Sequence, residues 1–476
     1  MKKLIYISIV AFLAIGCGGG GSGGAKVQVM QPIDTGRGII KSLRVKSNDQ
    51  RTIIAWKEIE TNPNSNSSDS YLFVADKLNG KWTIPTKDDY LRKGKGDDTP
   101  NSLDLAINNN EAIIVSSNID YDKSNNKYTG ALMMSQYKDG EWKPFNSISP
   151  YGSISMFPKI AMNQNNNAIV VWRSGLNQGA MYIANYENGK WSIPSGINDY
   201  KGAINAGNKV DYPMNISYKN NNAFLTWKQK ESKTSNTMKI YSASYSSPLW
   251  MFPQNSKSKN GNENVDMSNF KSDTDDLGNK IIVMQVFDTA KQVMHIKSAT
   301  YCNNSWHLPT SSSHIDTSTS LDKYNTLDLY LDTLDVKLNG NGFGIVAWMQ
   351  YNSDKNVIYA NEYDAPSCIM TMSDKNNPIS FPDTNALILK VAVNDNGNAI
   401  IAWLQEDNKK NRLYFATYKD DAWQRPKKGN YISTKDGDVS GIDVALNNNN
   451  IATIVWIEET GQGNSKLYKK EINIKE

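Results

Sequence analysis

The chain is sparing with the residues that usually build reactive or ligated sites. Its 476 residues include 3 cysteines, 3 histidines and seven arginines. There is no CxxC and no Cys/His cluster, which excludes a zinc-finger or zinc-ribbon framework. His295, His307 and His314 lie in one region but form no HExxH, and each reads as a surface residue rather than a ligand. A P-loop and a G-x-S-x-G elbow are both missing. Net charge is small at +4, so there is no concentrated basic face for nucleic acid. The longest apolar run, residues 4–15, is too short to span a bilayer. No catalytic, cofactor-binding or metal-ligating residue emerges.

What the chain has in quantity is aromatic side chains, 12 Trp and 24 Tyr among them, and their spacing is regular. A short β-type run closes on Trp56, Trp172, Trp227, Trp348, Trp403 and Trp456, with Ser116 and Met284 at two degenerate copies. A second tryptophan follows in each of several repeats, usually as Trp-x-x-Pro, at Trp82, Trp142, Trp191, Trp250, Trp306 and Trp423. Every tryptophan thus falls in one of two positions of an eight-fold repeat. Within residues 158–194, four short runs are separated by Asn- and Gly-rich turns, residues that tolerate the left-handed backbone of tight hairpins. Four antiparallel strands per repeat make a propeller blade.

The fold expected is therefore all-β: a single β-propeller of about eight four-stranded blades, with seven as the alternative count. Bulky side chains should fill the wedge between neighbouring sheets, so the tryptophans and the third-strand tyrosines (Tyr137, Tyr186, Tyr245, Tyr301, Tyr363 and Tyr418) are read as core. The eighth repeat ends without a Trp-x-x-Pro strand. Residues 27–32 have fourth-strand spacing, so an N-terminal strand is expected to close the last blade. The sixth repeat is the weakest, with no fourth-strand Trp and a long insertion at residues 310–333.

Two resemblances add to this. Lys2 and Lys3, the apolar run and Leu13-Ala14-Ile15-Gly16-Cys17 resemble a bacterial lipobox, although Ala14 stands where that family usually has Leu. The resemblance implies a signal peptide at 1–16 and lipidation of Cys17. Residues 17–25 then form the lipidated cysteine plus a glycine-rich tether, and 26–476 the propeller. Gly18 is not the Asp that marks inner-membrane retention, which points to an outer-membrane lipoprotein on its surface or periplasmic face. The motif running from Asn394 through Gly397, Asn398 and Ala399 to Trp403 is similar to the Trp-bearing propeller repeats, N-x-x-G-N-A-x-x-x-W with a later W-x-x-P, of exported bacterial proteins.

Cys302 and Cys368 remain after Cys17. Export would permit a disulfide, but their placement near equivalent edges of neighbouring repeats argues against a bridge. Loops between blades carry Tyr90, Tyr151, Tyr200 and Tyr212, suited to carbohydrate or protein contact. Glu58, Gln229, Gln350, Gln405 and Glu458 recur two places after the second-strand Trp and read as a structural strand exit. Asp273, Asp275 and Asp276 before Gly278 lack the ligand count of a calcium loop. A sialidase-like enzyme would need S-x-D-x-G-x-T-W boxes and an arginine triad. The segment from Ser272 to Gly278 is a loose echo only, and no arginine sits in triad context. The expected function is a membrane-anchored binding platform for protein or glycan. The alternatives are a propeller glycosidase and a structural part of an envelope complex.

Overall fold

A computed structural model describes residues 30–476 except 63–66, 96–101, 109–110, 123–126, 150–153, 175–179, 194–209, 231–237, 247–248, 252–258, 260–265, 289–292, 311, 317–331, 353, 375, 462 and 475–476. Cys17, the tether and residues 27–29 lie outside the described residues, as do Tyr151 and Tyr200.

Blade 7 shows how the repeat becomes a sheet. Its strands are Ala386–Val393, Ala399–Asp407, Lys410–Lys419 and Ala422–Gln424, paired in chain order and antiparallel. Among the described residues eight antiparallel sheets follow one another, five of four strands, two of five and one, the last, of three. The count is eight, not seven. Every first strand lies beside the first strands of the blades before and after it, and that of blade 8 (Asp438–Leu446) lies beside that of blade 1 (Ile39–Ser47). The ring is a closed circle.

Closure does use the N-terminal segment, through residues 33 and 34, just past the 27–32 expected to form the strand. The Ile33 N–H donates to the Leu467 carbonyl at 2.7 Å, and the Asp34 carboxylate accepts from the Leu467 N–H at 2.9 Å. These bonds occupy the outer edge of the third strand of blade 8 (Asn464–Asn473), the edge that a fourth strand fills in the other blades.

The six second-strand tryptophans are fully buried. Each stacks on an aromatic of the third strand at the paired register: Trp56 on Phe73, Trp172 on Tyr182, Trp227 on Tyr241, Trp348 on Tyr359, Trp403 on Tyr414 and Trp456 on Tyr468. Apolar clusters then run from one sheet to the next. One joins Ile345 and Ile358 of blade 6 to Trp403 and Tyr414 of blade 7, and another joins Val455 and Leu467 of blade 8 to Trp56 and Phe73 of blade 1. The fourth-strand tryptophans differ from the expectation. They are half-buried at the rim, where five of them pack on the third-strand tyrosine of their own blade, as Trp191 does on Tyr186 at 5.1 Å.

Cys302 and Cys368 form a disulfide with Cα atoms 5.9 Å apart, the less favoured of the two outcomes that the sequence left open. Their placement was read correctly and the distance was not. Cys302 ends the third strand of blade 5 (Val293–Cys302), and Cys368 lies in the matching turn of blade 6 at residues 365–368. Neighbouring blades converge there closely enough for Asn303 Nδ2 to reach Cys368 Sγ at 3.4 Å. The bridge pins the blade whose fourth strand, Ile369–Met370, has no tryptophan.

The motif asparagines explain how one end of the ring is joined. Asn394 Oδ1 accepts the Asn398 N–H, closing its own turn, while Nδ2 donates to the Asn447 carbonyl of blade 8. Asn447 repeats this with Ile451 and with the Asn48 carbonyl of blade 1, Asn339 with Phe343 and Asn394, and Asn163 with Asn167 and Asn220. One amide thus shapes a turn and reaches the next blade.

Around the axis a second regularity appears. The first-strand residues paired one place before the second-strand Trp position are Arg44, Asp104, Lys159, Asn215, Lys271, Asp335, Lys390 and Asp443, in blade order. Odd blades carry a cation and even blades an Asp or Asn. Asp104, Asp335 and Asp443 each accept a backbone N–H of the following blade at 3.0 Å, from Ile160, Val391 and Val45. Asp332 bridges Lys271 and Lys390, and Arg44 lies 3.3 Å from Asp104. Burial pushes the Lys159 ammonium down to about 7; Asp104 opposes that shift, and Arg44, Lys271 and Lys390 reinforce it.

Candidate ligand-binding surface on the first blade

The polar residue two places after the second-strand Trp is the starting point. The indole N–H donates to it in five blades: Trp56 to Glu58, Trp227 to Gln229, Trp348 to Gln350, Trp403 to Gln405 and Trp456 to Glu458. Several of these side chains then hold the segment entering their blade. Glu58 accepts from Thr35 N and Oγ1, Arg37 N and Gly38 N; Glu458 accepts from Thr434 N and Oγ1; Gln405 donates to the Phe381 and Thr384 carbonyls. A Cβ on Gly437 would sit 2.0 Å from Glu458 Oε2, so glycine is required beside the carboxylate. The structural reading of this ring is the right one, and its carboxylates face backbone amides rather than a groove.

On blade 1 the clamp fixes the backbone of Arg37, and this aims its guanidinium. The Arg37 Cζ lies 3.9 Å from the centroid of the Tyr71 ring and 5.6 Å from that of Tyr90. Its Nη1 donates to the Lys87 carbonyl at 3.2 Å, and Nε lies 3.5 Å from Glu60 Oε2. Tyr71 and Tyr90 meet edge to face at 5.3 Å. Tyr71 is 3% exposed and forms the floor; Tyr90 is 39% exposed and forms the platform. Lys93 Nζ lies 2.8 Å from Asp69 Oδ2 and 5.2 Å from the Tyr71 centroid. Hydrogen bonding to Asp69, then to Tyr71, holds the Lys93 ammonium well above the ordinary lysine range, so it stays cationic.

The loop bearing Tyr90 is held at both ends. Thr86 closes a turn on Asp89 through its N–H and hydroxyl, at 2.9 and 2.6 Å. Leu91 N–H then donates to Leu72 O, and strand Arg92–Lys95 pairs with residues 69–72 of the third strand Ser67–Leu78. This extra strand sets the exposed Tyr90 ring against Tyr71, over which Arg37 and Lys93 both lie. A comparable arginine on blade 7 is differently used. Arg412 donates to the Thr434, Lys435 and Gly437 carbonyls and is itself buried.

Of the loop tyrosines singled out from the sequence, Tyr90 therefore lies in a built cluster. Tyr212 falls in strand Val210–Lys219, and its side chain is outside the described residues. Asp275 binds Asn279 within its turn, and Asp273 accepts the Leu338 N–H of blade 6. His307 stands on strand Ser305–His307, near Ser305 Oγ, whereas His295 and His314 come together beside Asp316. The Arg37–Tyr71 pair was missed. Its signal was the aromatic at Tyr71 directly across from Glu58.

No family model matches the chain, and no curated protein does. Solved structures do. A PL25 ulvanlyase has a TM-score of 0.45 at 8% identity, covering 92% of this chain and 94% of its own. The polysaccharide lyase Uly1 has a TM-score of 0.48 at 11% identity, covering 90% and 89%. The β-propeller domain of the Trilobed protease from Pyrococcus furiosus has a TM-score of 0.42 at 9% identity, covering 78% and 94%.

Proposed function

We propose that this chain is an exported lipoprotein, anchored through Cys17 to the outer membrane, whose propeller is a rigid binding platform for an acidic glycan. One observation carries the ligand class: the exposed Tyr90 ring packs on Tyr71, over which two fixed cations, Arg37 and Lys93, both lie. A pyranose presents a C–H face that packs on an aromatic ring, and a uronate or sulfate group pairs with a guanidinium or ammonium. The glycine tether and the disulfide between Cys302 and Cys368 support export, since such bonds persist in oxidising compartments.

The test uses the full chain, purified in detergent, against a panel of neutral and acidic glycans. Uronate- or sulfate-bearing glycans should be retained without turnover. Tyr90→Ala should weaken retention about tenfold or more while shifting the unfolding midpoint little, the usual result for a surface side chain. Retention unchanged in that variant would sink the proposed surface. Release of shortened or unsaturated sugar would favour the enzyme reading, and capture of a protein partner without any glycan binding would favour the structural one.

A further inference from the structure

We infer that His295, His314 and Asp316 form a binding site for one divalent transition-metal ion of the zinc class. His295 lies on the third strand of blade 5, and the other two lie in the segment that leaves this blade. The backbone sets them side by side, because the Ile315 N–H donates to the Ile296 carbonyl at 2.8 Å. Residues 314 and 316 thereby flank the strand beside His295. The three ligand atoms lie within 4.8 Å of one another.

The three side chains are spaced so that one ion could replace the long hydrogen bonds that join them. His295 Nδ1 is 3.4 Å from Asp316 Oδ2, and His314 Nδ1 is 3.4 Å from Asp316 Oδ1. His295 Nδ1 also bonds Asp316 Oδ1 at 3.5 Å and His314 Nδ1 bonds the Asp316 carbonyl at 3.2 Å, both long beside a charge-assisted N–H···O bond of ~2.7–2.9 Å. Two ligands each about 2.1 Å from a tetrahedral ion lie roughly 3.4 Å apart, which fits without rearrangement. The carboxylate is 1% exposed, and its Oδ2 accepts the Ile296 N–H at 2.7 Å, the kind of support that orients a metal ligand. Two imidazoles and one carboxylate are a zinc-type donor set, and three protein ligands leave a fourth position for water or an added ligand. The cation would tie the insertion that begins here to the edge of blade 5. The other group of similar residues, Cys302, His307 and Cys368, has both sulfurs in the disulfide.

Titration of the oxidised full chain with Zn²⁺ alone, followed by calorimetry, tests this. One ion per chain is expected, with visible absorption bands when Co²⁺ is substituted. His314 is 35% exposed, so His314→Ala leaves the core intact, as circular dichroism would verify; it should weaken Zn²⁺ binding by about 10–100-fold. Asp316→Asn should do the same, and His307→Ala should leave affinity unchanged. Failure of the unaltered chain to bind Zn²⁺ at millimolar concentration overturns the inference. Equal affinity in the folded His314→Ala variant does so too.

Discussion

The two ends of the propeller join blade to blade by different chemistry. At one end, short turns are linked by neutral amides, Asn163, Asn339, Asn394 and Asn447, each bonding within its own turn and to the next blade. At the other end, longer segments are held by Glu58, Gln405 and Glu458, which reach back from a buried tryptophan to backbone groups. Each clamp engages one threonine hydroxyl, of Thr35, Thr384 or Thr434, besides backbone groups, and places no demand on the other side chains of the segment it holds. The amide end is thus committed to closing the ring, while the loop end can carry Arg37, Tyr90 and Lys93 without loosening the core.

The largest effect should come from Glu58→Ala. It removes a buried acceptor from the Trp56 indole and the segment at residues 35–38, and should cost about 3 kcal/mol in urea unfolding. It should weaken glycan retention as well, because Arg37 loses its anchor. Asn394→Ala comes next, at about 2 kcal/mol, through the loss of acceptors and donors on both sides of a blade junction. Glycan retention should survive that change once folding is secured; loss of retention would break the division between the two ends. The smallest effect is expected at the axis, which belongs to neither end. The Lys159 value falls from 10.5 to about 7 on folding, so between these limits the unfolded chain holds more protons, and stability rises with pH. Below 7 the folded state bears the full cost of the buried charge. Lys159→Met should therefore raise stability by about 1 kcal/mol at pH 6, and the gain should fade as pH climbs toward 10.5. Unfolding curves at pH 6 and pH 9 check both sign and direction.

Much of the fold was legible because packing imposes the same demand eight times. Trp56, Trp172 and their equivalents mark the second strand, and Asn-Gly turns such as the one at Asn188 mark the hairpins. The stacked partner on the third strand was less visible, since it varies between Phe73 and Tyr182. The disulfide was misjudged because sequence distance between blades says nothing of how near their outer turns approach. The candidate surface was half legible. Tyr90 stood out as a loop aromatic, but Arg37 and Lys93 converge on its neighbour Tyr71 only through a clamp and an added strand, both long-range. His295 and His314 were seen as neighbours in sequence; the strand pairing that adds Asp316 is tertiary.

The alternation of cation and carboxylate or amide around the axis restricts how such a ring can grow. Each Asp or Asn binds the blade ahead while facing a cation on either side, a rule that closes on itself only when the number of blades is even. Removing one blade would set two cations, or two carboxylate or amide positions, shoulder to shoulder around the axis. Lineages of this architecture should gain or lose sheets two at a time.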